Sequence, residues 1–510
     1  MNEIQILIVD YGSQYTLVIG RTLRELGVRS AILPPEKAIY FLSQNTPKGV
    51  ILSGSHHSVH DVNAPQLPEN LDLSGVKYPV LGICYGMQLL SHTLGGVVDR
   101  PLLHREYGPA MVSLDVNHPL FLGVEQQTQV WASHGDTVKE LPKGFHSIGT
   151  TKGYAAMTDA ENRILGIQFH PEVVDTKEGK KILQNFLNIC ETKIDWNPTN
   201  IIKEIQKEVL DVVNTSLGKN VILGLSGGVD STTLAALLAP VLGDKLVCVA
   251  IDTGGLREGE LAELKINAKS AHVSNLVVIS AEDEFIKNIS TTTDAQEKRG
   301  KFREVYSKIF EEQILKHNAG FMIQGTLATD IIESGEAGKS ALIKTHHNVG
   351  LLWSVDDLHP FRNLFKYEVR EIARTLNLPK EVYERNPFPG PGLYLRVVGV
   401  PVSKDYISLV RMADNTVTEI VKKHNLEKEI SQLVVCLIGI QSVGVKGDER
   451  VYGYSLLVRA VKTIDFMTAQ GYYFPENVVN EITSALTQHK EIVRVLFDMT
   501  PKPPATTEFE

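Results

Sequence analysis

Short apolar runs alternate with amphipathic stretches along the first three-quarters of the chain. IQILIVD (4–10), GVILSG (49–54), YPVLGIC (78–84) and RILGIQFH (163–170) read as buried strands. Between the first two, SQYTLVIGRTLRELG (13–27) has helical spacing and a glycine stop at Gly27. The same alternation resumes after the polar stretch ETKIDWNPTN (191–200), which reads as a linker. IIKEIQKEVLDVVNTSLG (201–218) is helical, and NVILGLS (220–226), KLVCVAID (245–252) and NLVVIS (275–280) are strands. STTTDAQEKRGKFREVY (290–306) begins threonine-rich and turns helical and charged, the look of a lid over a site. NPFPGPGLY (386–394) is too dense in proline and glycine for a helix or strand interior and marks a further boundary. Beyond it, QLVVCLIGI (432–440) and YGYSLLVRAV (452–461) are strands among helices.

Strand–helix alternation predicts α/β layers with mainly parallel sheets. The expected architecture is two doubly wound domains, 1–192 and 193–385, followed by a small α+β domain, 386–510.

At 510 residues the chain exceeds what one core supports. Its formal net charge of −9 argues against a general nucleic-acid binder. Cys84, Cys190, Cys248 and Cys436 are widely spaced without a CxxC, which suggests a reduced cytoplasmic protein with neither disulfides nor a zinc knuckle. No apolar run approaches the roughly 20 residues of a membrane span, and the N-terminus reads as a first strand rather than a signal peptide.

Two stretches carry chemistry. In YPVLGICYGMQLL, Cys84 stands between a strand and a helix, at a sharp turn that exposes the sulfur to a helix N-terminus. Gly82 and Gly86 relieve crowding around such an elbow. An isolated cysteine is otherwise a small buried hydrophobe. His170 and Glu172 in QFHPE lie two apart on one side of an extended backbone, as a base and its orienting carboxylate must. The second stretch is SGGVDS (226–231), following one strand and opening a helix at Thr232. Such a turn suits phosphate, yet it lacks the lysine of the GxxxxGK[ST] loop.

Residues 1–190 resemble class I glutamine amidotransferases in DYGSQYT, GICYGMQLL, SHGD (133–136) and QFHPE. The resemblance implies Cys84 as nucleophile, His170 as general base and then acid, and Glu172 as its orienting group. It also implies that Gln88 and the SHGD turn hold glutamine and that Tyr85 and Ser55 border the oxyanion site. Where that family usually reads SGGPxS, this chain reads SGSHHS (53–58). A backbone donor survives this change at Ser55, whereas a glycine-only dihedral does not. His56 and His57 beside it read as solvated loop residues.

SGGVDS resembles the signature of ATP pyrophosphatases. The resemblance implies pyrophosphate held by Ser226, Gly227, Gly228, Val229 and Ser231, and Mg²⁺ by Asp230. It gives Lys366, in HPFRNLFKYEVREI, a pyrophosphate contact, against the plain alternative of a solvated helix residue. HHNVG (346–350), NPFPGPGL, SVGVKGDERVY (442–452), DFMTA (465–469) and the terminal KPPATTEFE resemble the glutamine-hydrolysing GMP synthetase family. That implies amination of xanthosine 5′-monophosphate (XMP) with ATP and glutamine as co-substrates, a homodimer, and XMP contacts from Arg299, Asp448, Lys502 and Glu508. Without it, the tail reads as a frayed terminus.

Three rivals remain. A tRNA-modifying thiolase needs a sulfur carrier, and between 221 and 385 the sequence offers only Cys248, inside an apolar strand. A non-catalytic nucleotide-binding regulator has no use for a complete set of reactive residues. NAD⁺ or asparagine synthesis shares the chemistry but leaves the tail unexplained.

Overall fold

In a computed structural model of the chain, the first strand, Ile6–Val9, sorts its side chains to two faces. Ile6 and Ile8 join one buried cluster with Ile19 and Leu23 of the helix Thr16–Glu25 and with Ile182, Leu183 and Phe186 of Gly179–Ile189. Leu7 and Val9 join another with Ala38 of Pro35–Gln44 and Leu90 of Tyr85–Thr93. Alternate residues of a strand point to opposite faces. Wholly apolar strands therefore require helices on both sides, the doubly wound arrangement. The structure describes residues 4–509 except 72, 74, 76, 101–105, 216–217, 328–342, 345–352, 386–387 and 464–467. HHNVG, Asn386 and Pro387 of NPFPGPGL, residues 465–467 of DFMTA and the terminal Glu510 lie outside them.

The chain divides into two units, 1–201 and 202–510. In the first, Ser30–Leu33, Ile6–Val9, Gly49–Leu52, Val80–Ile83 and Ile164–Ile167 form a parallel sheet in that order. Tyr154–Asp159, Phe145–Thr150, Glu106–Leu114 and Gln127–His134 extend it antiparallel. The polar stretch 191–200 packs on this unit instead of hanging free. Trp196 lies between the guanidinium groups of Arg24 and Arg29, at 4.9 and 4.8 Å, and Asp195 Oδ1 accepts from the Arg29 N–H.

In the second unit the order is Asn275–Ser280, Leu246–Asp252, Asn220–Gly224, Ala319–Ile323, Asp356–Leu358, all parallel, with Ile343–Lys344 antiparallel at the edge. Chain order reverses between Asn220–Gly224 and Ala319–Ile323, so a crevice opens beyond their carboxyl ends. The SGGVDS loop sits there. A separate sheet pairs the long hairpin strands Gln432–Lys446 and Glu449–Lys462 with Val397–Val398, Gln470–Gly471 and Ile492–Phe497. The helices Lys404–Lys423 and Glu476–Thr487 accompany this sheet. These elements are the expected α+β C-terminal portion.

The stretch 290–306 is not a lid. Asp294 caps the helix Ala295–Lys316 through the Gln296 and Glu297 N–H groups, both at 2.9 Å. Phe302, Val305, Ile309 and Phe310, at helical spacing, are buried, and the fully buried Lys298 ammonium donates to the Val397 carbonyl at 2.6 Å. That apolar stripe fixes the helix as a wall.

Candidate active sites

The first site is built where Val80–Ile83 turns into the helix Tyr85–Thr93. Cys84, between them, has φ 54° and ψ −106°, a strained conformation for a residue with a Cβ. The elbow is crowded. A Cβ on Gly82 would meet the backbone of Gly86 and Met87, and one on Gly86 would meet the Leu52 carbonyl. As the first helical residue, Tyr85 leaves its N–H without an intrahelical acceptor, beside the sulfur. Its ring points elsewhere, with the hydroxyl donating to the Pro65 carbonyl at 2.6 Å.

The strand Ile164–Ile167 runs beside Val80–Ile83 in parallel register, and the chain continues from its end to His170 and Glu172. His170 Nδ1 lies 2.8 Å from Glu172 Oε1, with both side chains buried. Burial disfavours a charged imidazole, but the Glu172 carboxylate and a hydrogen bond with Cys84 outweigh it and raise the His170 pKa well above the usual histidine value. The ring is also fixed edge-on to Tyr15 at 4.8 Å. Cysteine, histidine and glutamate thus form one row.

Cys84 and His170 border a cavity of about 570 Å³ lined also by Gly12, Ser13, Ser55, His56, His57 and Gln88. Gln88 Nε2 donates to the Asp136 carbonyl at 2.8 Å, and Asp136 accepts from the Ser58 hydroxyl. Ser55 stays outside the left-handed region, so no glycine-only dihedral is needed. Its hydroxyl donates to the Tyr11 carbonyl at 2.8 Å and accepts from the His57 N–H. The SGSHHS departure leaves the loop anchored and its backbone available. His56 is exposed and His57 half-buried; both border the cavity. Arg100, whose Nε lies 3.5 Å from Asp136 Oδ1, also borders it and carried no signal in sequence.

The second site occupies the crevice of the second unit. The helix Val229–Leu242 starts earlier than the sequence suggests, with Gly228 as N-cap and the first helical bond from Thr232 N to Gly228 O. Val229, Asp230 and Ser231 therefore lie in its first turn, where N–H groups lack intrahelical acceptors. Gly227 has φ +75°. Ser226 and Ser231 hydroxyls are 3.1 Å apart, and Ser231 Oγ accepts from the Ser226 N–H at 3.2 Å. Lys366 opens the helix Lys366–Thr375 and places Nζ 2.5 Å from Asp230 Oδ2. Asp230 Oδ1 is buried without a hydrogen-bond partner.

Around this loop is a cavity of about 270 Å³, lined in part by Phe302, Tyr306, Glu260, Arg385 and Phe388. Arg385, unmarked by any motif, donates to the Gly227 carbonyl at 2.9 Å. Cys248 is buried in its strand, where burial pushes the thiol up to about 12, unsuited to sulfur transfer.

The C-terminal tail is tied down rather than frayed. Buried Arg459 donates to the carbonyls of Thr500, Thr506 and Thr507 at 2.7, 2.9 and 3.2 Å. Lys502 forms an antiparallel bridge with Ala469. Glu508 Oε1 accepts from Gln432 at 2.5 Å and from the fully buried Arg396 at 3.4 Å. Arg299 lies on the helix that Lys298 pins beside Arg396. Asp448 stands apart. Gly447 and Asp448, with φ 56° and 65°, form the tight turn of the long hairpin, a pairing these residue types favour. Gln432 lies at the other end of a 15-residue strand, up to about 50 Å away at about 3.3 Å per residue. Within one chain Asp448 does not reach Glu508.

Among the described residues no group of three or more His, Cys, Asp or Glu side chains is arranged for a metal, and no helix is long and apolar enough to cross a membrane.

Comparison with known proteins accounts for each region. Residues 7–190 match the class-I glutamine amidotransferase family, 201–293 the NAD synthase family and 419–509 the GMP synthase C-terminal domain. The glutamine-hydrolyzing GMP synthase of Acetivibrio thermocellus is 40% identical over 519 residues, covering 100% of both chains. That of Treponema denticola is 40% identical over 515 residues, covering 99% of this chain and 97% of its own. That of Coxiella burnetii is 40% identical over 533 residues, covering 100% and 99%. With a cysteine–histidine–glutamate row in one unit, an ATP pyrophosphatase-type loop in the other and end-to-end similarity to these ligases, the chain belongs to the glutamine-hydrolysing GMP synthase family.

Proposed function

We propose that the first site releases ammonia from glutamine and that the second adenylates XMP with ATP, ammonia then displacing AMP to give GMP. The observation that carries this reading is the pairing of two complete reactive centres, Cys84–His170–Glu172 and the SGGVDS loop with Lys366, on separate units.

In the first site, Cys84 sulfur attacks the glutamine side-chain carbonyl as a thiolate whose proton is already held by His170, the protonated imidazole being favoured by Glu172. The N–H groups of Tyr85 and Ser55 face the developing oxyanion. Collapse expels ammonia, protonated by His170, and leaves a glutamyl thioester; His170 then takes a proton from the water that hydrolyses it. Glu172 keeps the imidazole in place throughout. Gln88 supports the substrate pocket.

In the second site, the XMP carbonyl oxygen attacks the α-phosphorus of ATP and pyrophosphate leaves. Ser226, Gly227, Gly228, Val229 and Ser231 receive the leaving group through hydroxyl and backbone N–H donors, and Lys366 supplies the charge a lysine-free loop lacks. The free Asp230 Oδ1 suits a hard cation held mainly by phosphate oxygens, so Asp230 is the residue that would hold Mg²⁺, which neutralises phosphate charge when bound. Lys502, Glu508 and Arg299 are the proposed XMP contacts.

We assign a homodimer from the apolar face that the hairpin sheet presents: Ile440, Val445 and Tyr452 are 72%, 74% and 63% exposed. Asp448 meets XMP only from across such a dimer. A free Cys84 thiol suits a reducing compartment, in keeping with a cytoplasmic enzyme.

The test is product stoichiometry. With XMP, ATP, Mg²⁺ and glutamine, one GMP, one AMP and one pyrophosphate should form per glutamate. AMP formation with no XMP requirement, or with another acceptor preferred, contradicts the reading.

A further inference from the structure

A continuous series of ion pairs and hydrogen bonds crosses the second unit from the C-terminal tail to the glycine-rich loop. Glu508 Oε1 lies 3.4 Å from Arg396 Nη2, and Arg396 Nη1 lies 2.6 Å from Asp414 Oδ1. The other oxygen of Asp414, Oδ2, lies 3.2 Å from Arg257 Nε. The backbone N–H of Arg257, not its guanidinium, donates to Glu260 Oε2 at 2.8 Å. The position of the Arg257 main chain, set in part by its side chain's pairing with Asp414, thus carries the series onward. Glu260 Oε1 pairs with Arg385, which donates to the Gly227 carbonyl at 2.9 Å. A second arm ends on the ATP-pocket wall, with the Arg257 and Arg396 guanidinium carbons 4.2 and 5.0 Å from the centroid of the Phe388 ring.

Arg257 and Asp414 border neither the loop cavity nor the tail, yet they join groups that do. Arg396 and Asp414 are buried, and both oxygens of Asp414 are engaged by arginines. In a low-dielectric, close-packed interior such a bridge cannot give up one partner cheaply. A displacement of Arg396 must be followed by Asp414 and then by Arg257.

We propose that Arg257 and Asp414 are positioning residues that couple the two nucleotide sites. An acceptor nucleotide that engages the partly exposed Glu508 at the tail shifts its buried partner Arg396, and with it Asp414 and Arg257. These reset Phe388 at the pocket wall and, through Glu260 and Arg385, the Gly227 carbonyl. ATP then binds more tightly when the acceptor is present, and by linkage the acceptor binds more tightly with ATP. The inference rests on reading the tail as the XMP site and the loop as the ATP site.

Calorimetric titration of the full chain with α,β-methylene-ATP and Mg²⁺, with and without saturating XMP, reads the coupling directly. In the unsubstituted protein XMP should tighten the analogue by about fivefold or more, the usual lower range of coupling between sites. Arg257→Met should reduce this ratio to within about twofold of one, with XMP affinity measured alone changed far less. Arg257→Lys, which restores the charge beside Asp414, should recover part of the ratio. Should the methionine variant not fold, Arg257→Gln, equally uncharged but polar in a half-buried position, carries the comparison. An undiminished ratio in Arg257→Met or Arg257→Gln overturns the coupling role, as does XMP binding with no effect on the analogue. Failure of XMP to bind the unsubstituted protein at all instead refutes the reading of the tail, and the coupling with it.

Discussion

Lys366 and Asp230, 136 positions apart, meet at 2.5 Å at the mouth of the SGGVDS loop. The contact gives the loop the cation that its own sequence lacks, on a helix whose first turn is fixed by Glu368 accepting from the Phe365 N–H. It also leaves one oxygen of Asp230 free. One residue is thereby placed for charge on pyrophosphate and the other for a metal.

Lys366→Met should lower AMP and pyrophosphate formation by about 10²-fold or more, the usual cost of removing one charge-stabilising donor. The loss should be equal with glutamine and with ammonium, because the defect lies in adenylation. Pyrophosphate release assays with each nitrogen source check this, and a loss confined to glutamine contradicts it.

The Cys84 elbow was legible because it is local. Gly82, Cys84 and Gly86 lie within five positions, and the sterics that demand glycine act within that turn and against the adjoining strand. His170 and Glu172 were legible for the same reason. Arg385, Arg396, Arg257 and Asp414 were not, since arginines and an aspartate on ordinary helices and loops acquire meaning only from tertiary partners. Residues 290–306 misled through threonine content at their start, whereas Phe302, Val305, Ile309 and Phe310 carried the true helical period. Asp448 also has a local role, as half of a tight Gly-Asp turn.

Gly86→Ala should test the elbow without touching a reactive group. The added Cβ meets the Leu52 carbonyl, and overpacking of this kind costs about 1–3 kcal/mol. Thermal unfolding of the first unit should move down, with glutaminase activity falling as Cys84 is displaced. Unchanged unfolding and activity would show that the turn relaxes freely.

Glu172→Gln should lower the His170 pKa, since the carboxylate is the main influence raising it against burial. The folded-state value lies above the unfolded value of about 6.5. The pair's stabilisation is therefore fully present below about pH 6.5 and fades as pH rises through the folded value. Urea midpoints should show a larger loss for the variant at pH 6 than at pH 9, with glutaminase down by about 10²–10⁴. Equal losses at both pH values contradict a charged His170 paired with Glu172.

Removing residues 502–510 should raise the XMP requirement far more than the glutamine requirement, because Lys502 and Glu508 leave while the triad's unit is untouched. The truncation also strips partners from buried Arg396 and Arg459, so circular dichroism must confirm the fold. An unchanged apparent XMP affinity in a folded truncation contradicts the tail's role.

The division of labour between the two units is tested most directly by Cys84→Ala, assayed for GMP from XMP and ATP with glutamine or with high ammonium at alkaline pH. Neither His170 nor Glu172 can replace the sulfur nucleophile, and the adenylating site holds no use for it. The expected result is near-complete loss of glutamine-dependent synthesis with ammonium-dependent synthesis retained. Loss of both activities in a folded Cys84→Ala protein would contradict it.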